Sequence, residues 1–299
     1  MNLQEILKQL NIEAEHFGNV EFKTLGVSNE KEIENYCTFI DDAKFVDSFN
    51  KNVSVILTTK ELKDLIKFEN KTIVENPRSV FFRVHEYLVD NGDNEYARQK
   101  NETVIGDNCS FGKYVDIAES GVVIGNNVKI ESFVSIKENT VIGNNVIIRA
   151  GTIVGGEGFE VKEDDMGTFV VPHGGGVIIK DNVEIQQNTA IDKGLYPWDD
   201  TVIGQDSKID NFVHVGHGVK IGQKCKITAN VTIGGRTIIE DNCYLGISST
   251  IKQLLRICEN ANISMGAVVS KDVPANGHVT GNLAIDHGKF IDHIKRINK

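Results

Sequence analysis

"IGQDSKIDNFVHVGHGVKIGQKCKITANVTI", residues 203–233, carries an aliphatic residue at every sixth position: Ile203, Ile209, Val215, Ile221, Ile227 and Ile233. The register continues through Ile239, Leu245, Ile251, Ile257, Ile263 and Val269 without a miss. An earlier run keeps the same step at Ile124, Ile130, Ile136, Ile142, Ile148 and Val154. Ile105, Phe111 and Ile117 precede it, with a one-residue slip after Ile117, and Ile179, Ile185 and Ile191 bridge the two runs. A period of six matches neither a 3.6-residue helix nor an alternating strand. It matches a triangular solenoid, in which each hexapeptide is a short strand plus a corner and three make a coil. The aliphatic side chain points into the prism and stacks on its equivalent one coil on. Glycine often follows it, as at Gly204, Gly222 and Gly234, where a tight turn is expected. Four residues after it come small or β-branched side chains, among them Ser207, Cys225, Thr237 and Cys243, which suit a narrow interior.

This is the hexapeptide repeat of left-handed parallel β-helix proteins. The expected fold is therefore mainly β, with the β-helix over residues 101–272 as the catalytic domain. Two stretches break the repeat: "FEVKEDDMGTFVVPHGGG" (159–176) and "DKGLYPWDDTV" (192–202), where Pro197 stands in place of an aliphatic residue. Both read as loop insertions, and long insertions in a regular scaffold are usually functional or linking. Residues 1–100 lack the hexad. They mix helical stretches ("LQEILKQL", "TTKELKDLI", "RVHEYLV") with β-like runs ("VSVILTT", "KTIVEN") and predict a small α/β domain. Residues 273–299 form a C-terminal extension in which "HGKFIDHIKRINK" predicts a helix with Phe290, Ile291, Ile294 and Ile297 on one side and Lys289, Lys295, Arg296 and Lys299 as its cations.

The 299 residues suggest about two domains. A formal net charge of −10 argues against nucleic acid as the main partner, since phosphate binding wants a basic surface. No stretch reaches the roughly 18 apolar residues of a membrane helix. Five cysteines without paired short spacings point to a reducing compartment, and the expected location is the cytoplasm.

His214 and His217 lie three apart within the repeat. Histidine suits a general base, because its unperturbed pKa near 6.5 lets it take a proton near neutral pH. His217 lies two residues after the inward Val215, and Gly235 lies two after Ile233, one coil further on. Stacking therefore sets Gly235 beside His217, with its amide open to a carbonyl oxygen as an oxyanion donor. The plain alternative is two solvated corner residues. A zinc site is the other, but catalytic zinc usually takes three protein ligands, and His173 and His278 fall in a loop and past the last expected coil. No metal is expected. Asp199, Asp200 and Asp210 are candidates to orient His217. Cys225 and Cys243 stack one coil apart and read as core.

The chain resembles the UDP-3-O-acylglucosamine N-acyltransferase family, the LpxD enzymes of lipid A synthesis, over nearly its whole length. The residues that carry the resemblance are "GGEGF" (155–159), "VEIQQNTAIDKG" (183–194), "DDTVIG" (199–204), "DNFVHVGHGVKIG" (210–222) and "TFIDDAKF" (38–45). The resemblance implies an acyltransferase that moves an acyl group from a thioester to the amine of a nucleotide-linked amino sugar, by direct attack with His217 as base. It implies a homotrimer, no permanently bound cofactor, and acyl carrier protein or coenzyme A as carrier of the acyl co-substrate. It also implies that Phe39 and Phe45 stack on uracil, with Asp42 and Lys44 as further nucleotide contacts and His214 as a substrate contact. The sequence departs from the family in having Gly218 after the base where Asn is usual, His214 for Gln, Leu254 for a second His, Asp42 for Asn and Phe45 for Tyr. The tail "MGAVVSKDVPANGHVTGNLA" (265–284) resembles the coenzyme A end of hexapeptide acetyltransferases. The alternative reading is a coenzyme A-dependent enzyme acting on a dTDP- or UDP-linked amino-dideoxysugar of surface polysaccharide. A non-catalytic β-helix scaffold is the remote one.

Overall fold

The computed structural model describes residues 1–299 apart from 93, 100, 166, 282, 283, 298 and 299. The chain divides into two compact units. The first holds residues 1–102 together with 157–176 and 193–200; the second holds 103–156, 177–192 and 201–299.

The second unit is a parallel β-helix. Strands of two to four residues stack coil on coil into three sheets. Among the described residues, the first face (Val104–Ile105 to Arg256–Ile257) has eight strands, the second (Ser110–Phe111 to His278–Val279) nine, and the third (Asp116–Ile117 to Val268–Val269) eight. Partners such as Ile209↔Ile227 and Val215↔Ile233 are one 18-residue coil apart. The inward aliphatic residues from Ile124 to Val269 form one continuous buried cluster. Each contributes roughly 1.5–3 kcal/mol of apolar burial. In the first coil Ile105 pairs with Ile124, and the extra residue of the slip falls in the corner holding Gly121, at φ +74°.

The corners turn two residues later than the glycine positions suggest. The left-handed residue is the third after the aliphatic, as at Asn127, Asn145, Asn182, Asp206, Lys224, Asn242 and Asn260. Asn and Asp tolerate this region better than other side chains. Gly204, Gly222 and Gly234, directly after their aliphatic residues, have no positive φ. They are small because the next coil passes close: a Cβ on Gly204 would collide with the Gly222 carbonyl, and one on Gly234 would lie 2.5 Å from the Gln253 nitrogen. The small inward residues do more than fit. Ser207 Oγ donates to Gly222 O (2.8 Å), Cys225 Sγ to Glu240 O (3.1 Å), Thr237 Oγ1 to Lys252 O (3.1 Å) and Cys243 Sγ to Cys258 O (3.2 Å). Each satisfies a corner carbonyl of the next coil, a group too costly to leave bare inside a protein.

The coils run past the expected end at residue 272. Val273 is buried and bridges to Ile257, and His278–Val279 pairs with Asn262–Ile263. The C-terminal helix, labelled α3 here, spans His287–Ile297, and its apolar residues are not buried; Lys299 lies outside the described residues.

The first unit has a five-stranded sheet. Its strands are β1 (Glu15–Phe17), β2 (Thr24–Leu25), β3 (Tyr36–Ile40), β4 (Val53–Thr58) and β5 (Lys71–Ile73), in the order β1-β5-β4-β3-β2. β2 to β5 run parallel, and β1 is antiparallel on β5. Helix α1 spans Leu3–Gln9, and α2 spans Pro77–Asp90. Asn76 caps α2 by accepting from Ser79 N (3.1 Å), and Pro77 opens its first turn. The stretch "TTKELKDLI" forms no helix. After β4 it makes a single turn, with Leu62 and Ile66 buried and the Lys71 ammonium taking the carbonyls of Lys63 and Ile66, each at 2.8 Å.

Both excursions belong to this first unit, because Val171, Leu195 and Tyr196 complete its apolar cluster with α1 and α2. The longer one contains an antiparallel hairpin, Val161–Asp164 with Gly167–Val170. Arg83 of α2 lies 3.6 Å over the Phe169 ring and bonds Asp164 (2.8 Å). The helix ladder survives both departures: Ile142 pairs with Ile179 and Ile191 with Val215.

Candidate active site at a coil corner

His214–Val215 is a strand of the third face, between Ala190–Asp192 and Thr232–Ile233. Val215 points in, so His214 points out, about half exposed, with Nε2 3.7 Å from Asp192 Oδ2. The sequence reading did not single out Asp192; only the fold sets it beside His214.

His217 stands on the following corner. Its carbonyl accepts from Arg236 N (2.8 Å), and Gly218 N donates to Thr201 Oγ1 (2.8 Å). Gly218 has φ +66°, so it is the left-handed residue of this corner. Asn and Gly are the two residues that enter this region most readily, which accounts physically for either at position 218. Gly235 lies next to His217 in the adjacent coil. A Cβ there would sit 2.6 Å from both Cε1 and Nε2 of the His217 ring. The imidazole therefore rests against the bare Cα of Gly235, and any larger residue would displace it.

Of the three candidate carboxylates, one lies in the β-helix and two in the first unit. Asp210 accepts from Asn211 N (2.7 Å) and Asn211 Nδ2 (2.9 Å). Asp199 and Asp200 belong to the first unit, where Asp200 pairs with Arg98 and accepts from Gly176 N (2.8 Å). The other histidines are dispersed. His173 is buried in the first unit, and His278 lies on the second face with Nε2 3.0 Å from Ser264 Oγ. Among the described residues, no three His, Cys, Asp or Glu side chains are grouped to hold a metal ion.

In the first unit Asp42, Lys44 and Phe45 share one 3₁₀ turn, Ala43–Phe45, just after β3. Asp42 caps it, accepting from Lys44 N (3.0 Å) and pairing with Lys44 Nζ (2.8 Å). Its carboxyl is held below the usual range by these Lys44 contacts. Phe45 is exposed, with the Lys44 ammonium 4.8 Å from its ring centre. Phe39 lies on β3 against Phe81 (5.1 Å) and Phe82 (6.3 Å) of α2. The Arg78 guanidinium lies 5.3 Å over its ring, a contact with no signal in the sequence.

The "GGEGF" stretch places Glu157 where its Oε2 accepts from His173 N (3.0 Å) and its Oε1 meets Lys193 Nζ (2.6 Å). Burial pushes this carboxyl up, but the His173 and Lys193 bonds and the lysine charge outweigh it and bring it to about 2.

The family described as bacterial transferase hexapeptide (six repeats) matches residues 121–156 and 200–235. The hexapeptide repeat of succinyl-transferase matches 102–132 and 236–271. The UDP-3-O-acylglucosamine N-acyltransferase of Helicobacter pylori (strain 26695) is 31% identical over 216 residues, which is 66% of this chain and 64% of that protein. The UDP-3-O-acylglucosamine N-acyltransferase 2 of Legionella pneumophila (strain Philadelphia 1) is 51% identical over 61 residues, 20% of this chain and 18% of that one. The match thus spans a little under two thirds of the Helicobacter relative. Among solved structures, the UDP-N-acetylglucosamine acyltransferase of Francisella novicida superposes with a TM-score of 0.52 at 26% identity, over 64% of this chain and 71% of that one. The Arabidopsis UDP-N-acetylglucosamine acyltransferase gives 0.51 at 27%, over 60% and 68%.

Proposed function

We propose that this chain, built on bacterial transferase hexapeptide repeats and a relative of the UDP-3-O-acylglucosamine N-acyltransferases, transfers an acyl group from a thioester to the amine of a nucleotide-linked amino sugar. The observation that carries the reading is the His217 ring seated against Gly235. His217 takes the amine proton as the nitrogen attacks the thioester carbonyl. The carbon–sulfur bond then breaks, and the thiol leaves with a proton. Gly235 N is the oxyanion donor, and a donor of this kind is worth about 3–4 kcal/mol in acyl-transfer enzymes. His214, on the adjoining face, is the substrate contact. Phe39, Asp42, Lys44 and Phe45 hold the nucleotide.

The assembly proposed is a homotrimer. Its support is an outward apolar ladder on the first face, Val104, Val123, Val141, Ile178 and Val202 in consecutive coils, continued after Lys220 by Ile238. Val104, Val123, Val141 and Ile238 of this ladder are exposed, and exposed apolar surface of this kind marks an interaction site. A cytoplasmic location is proposed with it: the described cysteines are free thiols, as in a reducing compartment.

Purified protein is to be incubated with UDP- and dTDP-linked amino sugars, with acyl carrier protein and coenzyme A thioesters as donors, and the product weighed by mass spectrometry. A new amide on one nucleotide sugar is the expected result; none with any pairing rejects the function. The same assay on protein truncated after Asn282 tests the donor. Loss of turnover with the carrier protein, while coenzyme A turnover persists, is expected if α3 docks the carrier. Unchanged carrier-protein kinetics in a truncated trimer would leave Lys289, Lys295 and Arg296 as complements to the helix dipole. A monomeric mass by light scattering at micromolar concentration rejects the trimer.

A further inference from the structure

In a parallel sheet, ligands sit beyond the carboxyl ends of the strands. In the first unit that end gathers the loops after β3, β4 and β5, the last leading into α2. A groove of about 1400 Å³ opens there, with Asp41, Thr59, Asn76 and Pro77 in its lining. Arg78, in the first turn of α2, stands beside it. Its Nε donates to Asp41 Oδ2 at 2.9 Å, its guanidinium lies 5.3 Å over the Phe39 ring, and half of its side chain stays exposed. Phe39 is therefore not a bare platform: Phe81, Phe82 and Arg78 all crowd its ring.

We infer that the guanidinium of Arg78, laid over Phe39 and held by Asp41, is the surface on which the base of the nucleotide stacks. The inference rests on the nucleotide reading above and refines it: Phe39 holds the base through Arg78, which lies over its ring. A guanidinium is planar and weakly hydrated, and it stacks on π faces on both sides; an ammonium does neither. Asp41 fixes the plane through a charge-assisted bond, which lowers the entropy lost when a base lands on it. Phe39 supports Arg78 from behind, and α2 positions it as a rigid helical element.

The test is calorimetric titration of the full-length protein with uridine, UMP and ribose 5-phosphate. Arg78→Ala is expected to weaken uridine and UMP alike, by roughly 5- to 100-fold, the range of one stacked base. Arg78→Lys should recover little of this, because it restores charge without a plane. Asp41→Asn should weaken both nucleosides by a smaller factor. The emission of Trp198, the one tryptophan, reports whether each variant keeps the first unit folded; if Arg78→Ala does not, Arg78→Lys decides. Uridine affinity unchanged in the folded variants overturns the inference. So does a loss confined to UMP and ribose 5-phosphate, which would make Arg78 a phosphate contact. A parent protein that binds neither uridine nor UMP fails differently: it overturns the nucleotide reading itself, and this inference with it.

Discussion

At position 217 the chemistry and the packing can be tested separately. His217→Ala is expected to lower kcat by about 10²–10⁴-fold, the usual contribution of a general base. KM should change little, since the amine is a small part of a large nucleotide ligand. The residual rate should rise with pH, as free amine accumulates without help. Near-normal kcat in this variant would remove the base assignment. Gly235→Ala leaves the imidazole in place chemically but drives a methyl to within 2.6 Å of Cε1 and Nε2. The backbone there is fixed by Leu254 N on Gly235 O (3.0 Å), so the ring must yield. A displacement of about 1 Å can cost 10²-fold, and kcat should fall by that order with the melting temperature little changed. Normal kcat in Gly235→Ala would mean that the ring's seat is irrelevant. The neighbourhood of His217 was legible because a strict 18-residue coil turns sequence distance into spatial distance. Asp192 beside His214 was not: the excursion at 193–200 makes their coils 24 residues apart.

Among elements, the corners decide how the repeat is read. Aliphatic spacing told which residues point inward, and every one from Ile124 to Val269 does. It could not tell which corner residue takes the left-handed conformation, since glycine, asparagine and polar residues share the corners. Asn145 shows what that position needs. It has φ +56°, and its amide group joins Asn127 and Asn182 in a ladder of 3.2 Å bonds. Asn145→Ala should cost about 1–2 kcal/mol from the left-handed region alone. Asn145→Gly should cost less, because glycine enters the region freely. Equal melting temperatures for the two variants would refute a conformational origin. The stretch "TTKELKDLI" failed for another reason. Its apolar spacing is helical, but Leu62 and Ile66 bury themselves within one turn, and Lys71 takes the carbonyls that a second turn would have used.

Over the molecule as a whole, acid sensitivity should come early and from the first unit. His85 is buried, with Nδ1 2.6 Å from Tyr96 Oη and Nε2 2.8 Å from Pro172 O. Burial pulls its pKa down, to about 4, and the nearby His173 adds to this against the Pro172 carbonyl and Glu157. Above pH 6.5 both folded and unfolded chains carry a neutral histidine here, and stability is full. As pH falls from 6.5 towards 4 the unfolded chain takes up a proton that the folded one refuses, so stability falls, by about 3 kcal/mol in all. Urea unfolding followed by Trp198 emission should show a midpoint that drops between pH 6.5 and 5, before ordinary carboxylates titrate. A flat midpoint over that range would contradict the buried neutral His85.

The first unit is first only in name. Its core closes over Val171, Leu195 and Tyr196, which the chain reaches only after several coils of the β-helix have been made. On a ribosome working from the N-terminus, residues 1–102 emerge as an unfinished body. It must wait for about a hundred more residues, some 5–20 seconds at ordinary elongation rates. The usual vectorial order, one domain complete before the next begins, is unavailable to this topology. The β-helix can start to wind while its predecessor is still open, and cell biology, rather than the finished structure, bears the risk of that interval.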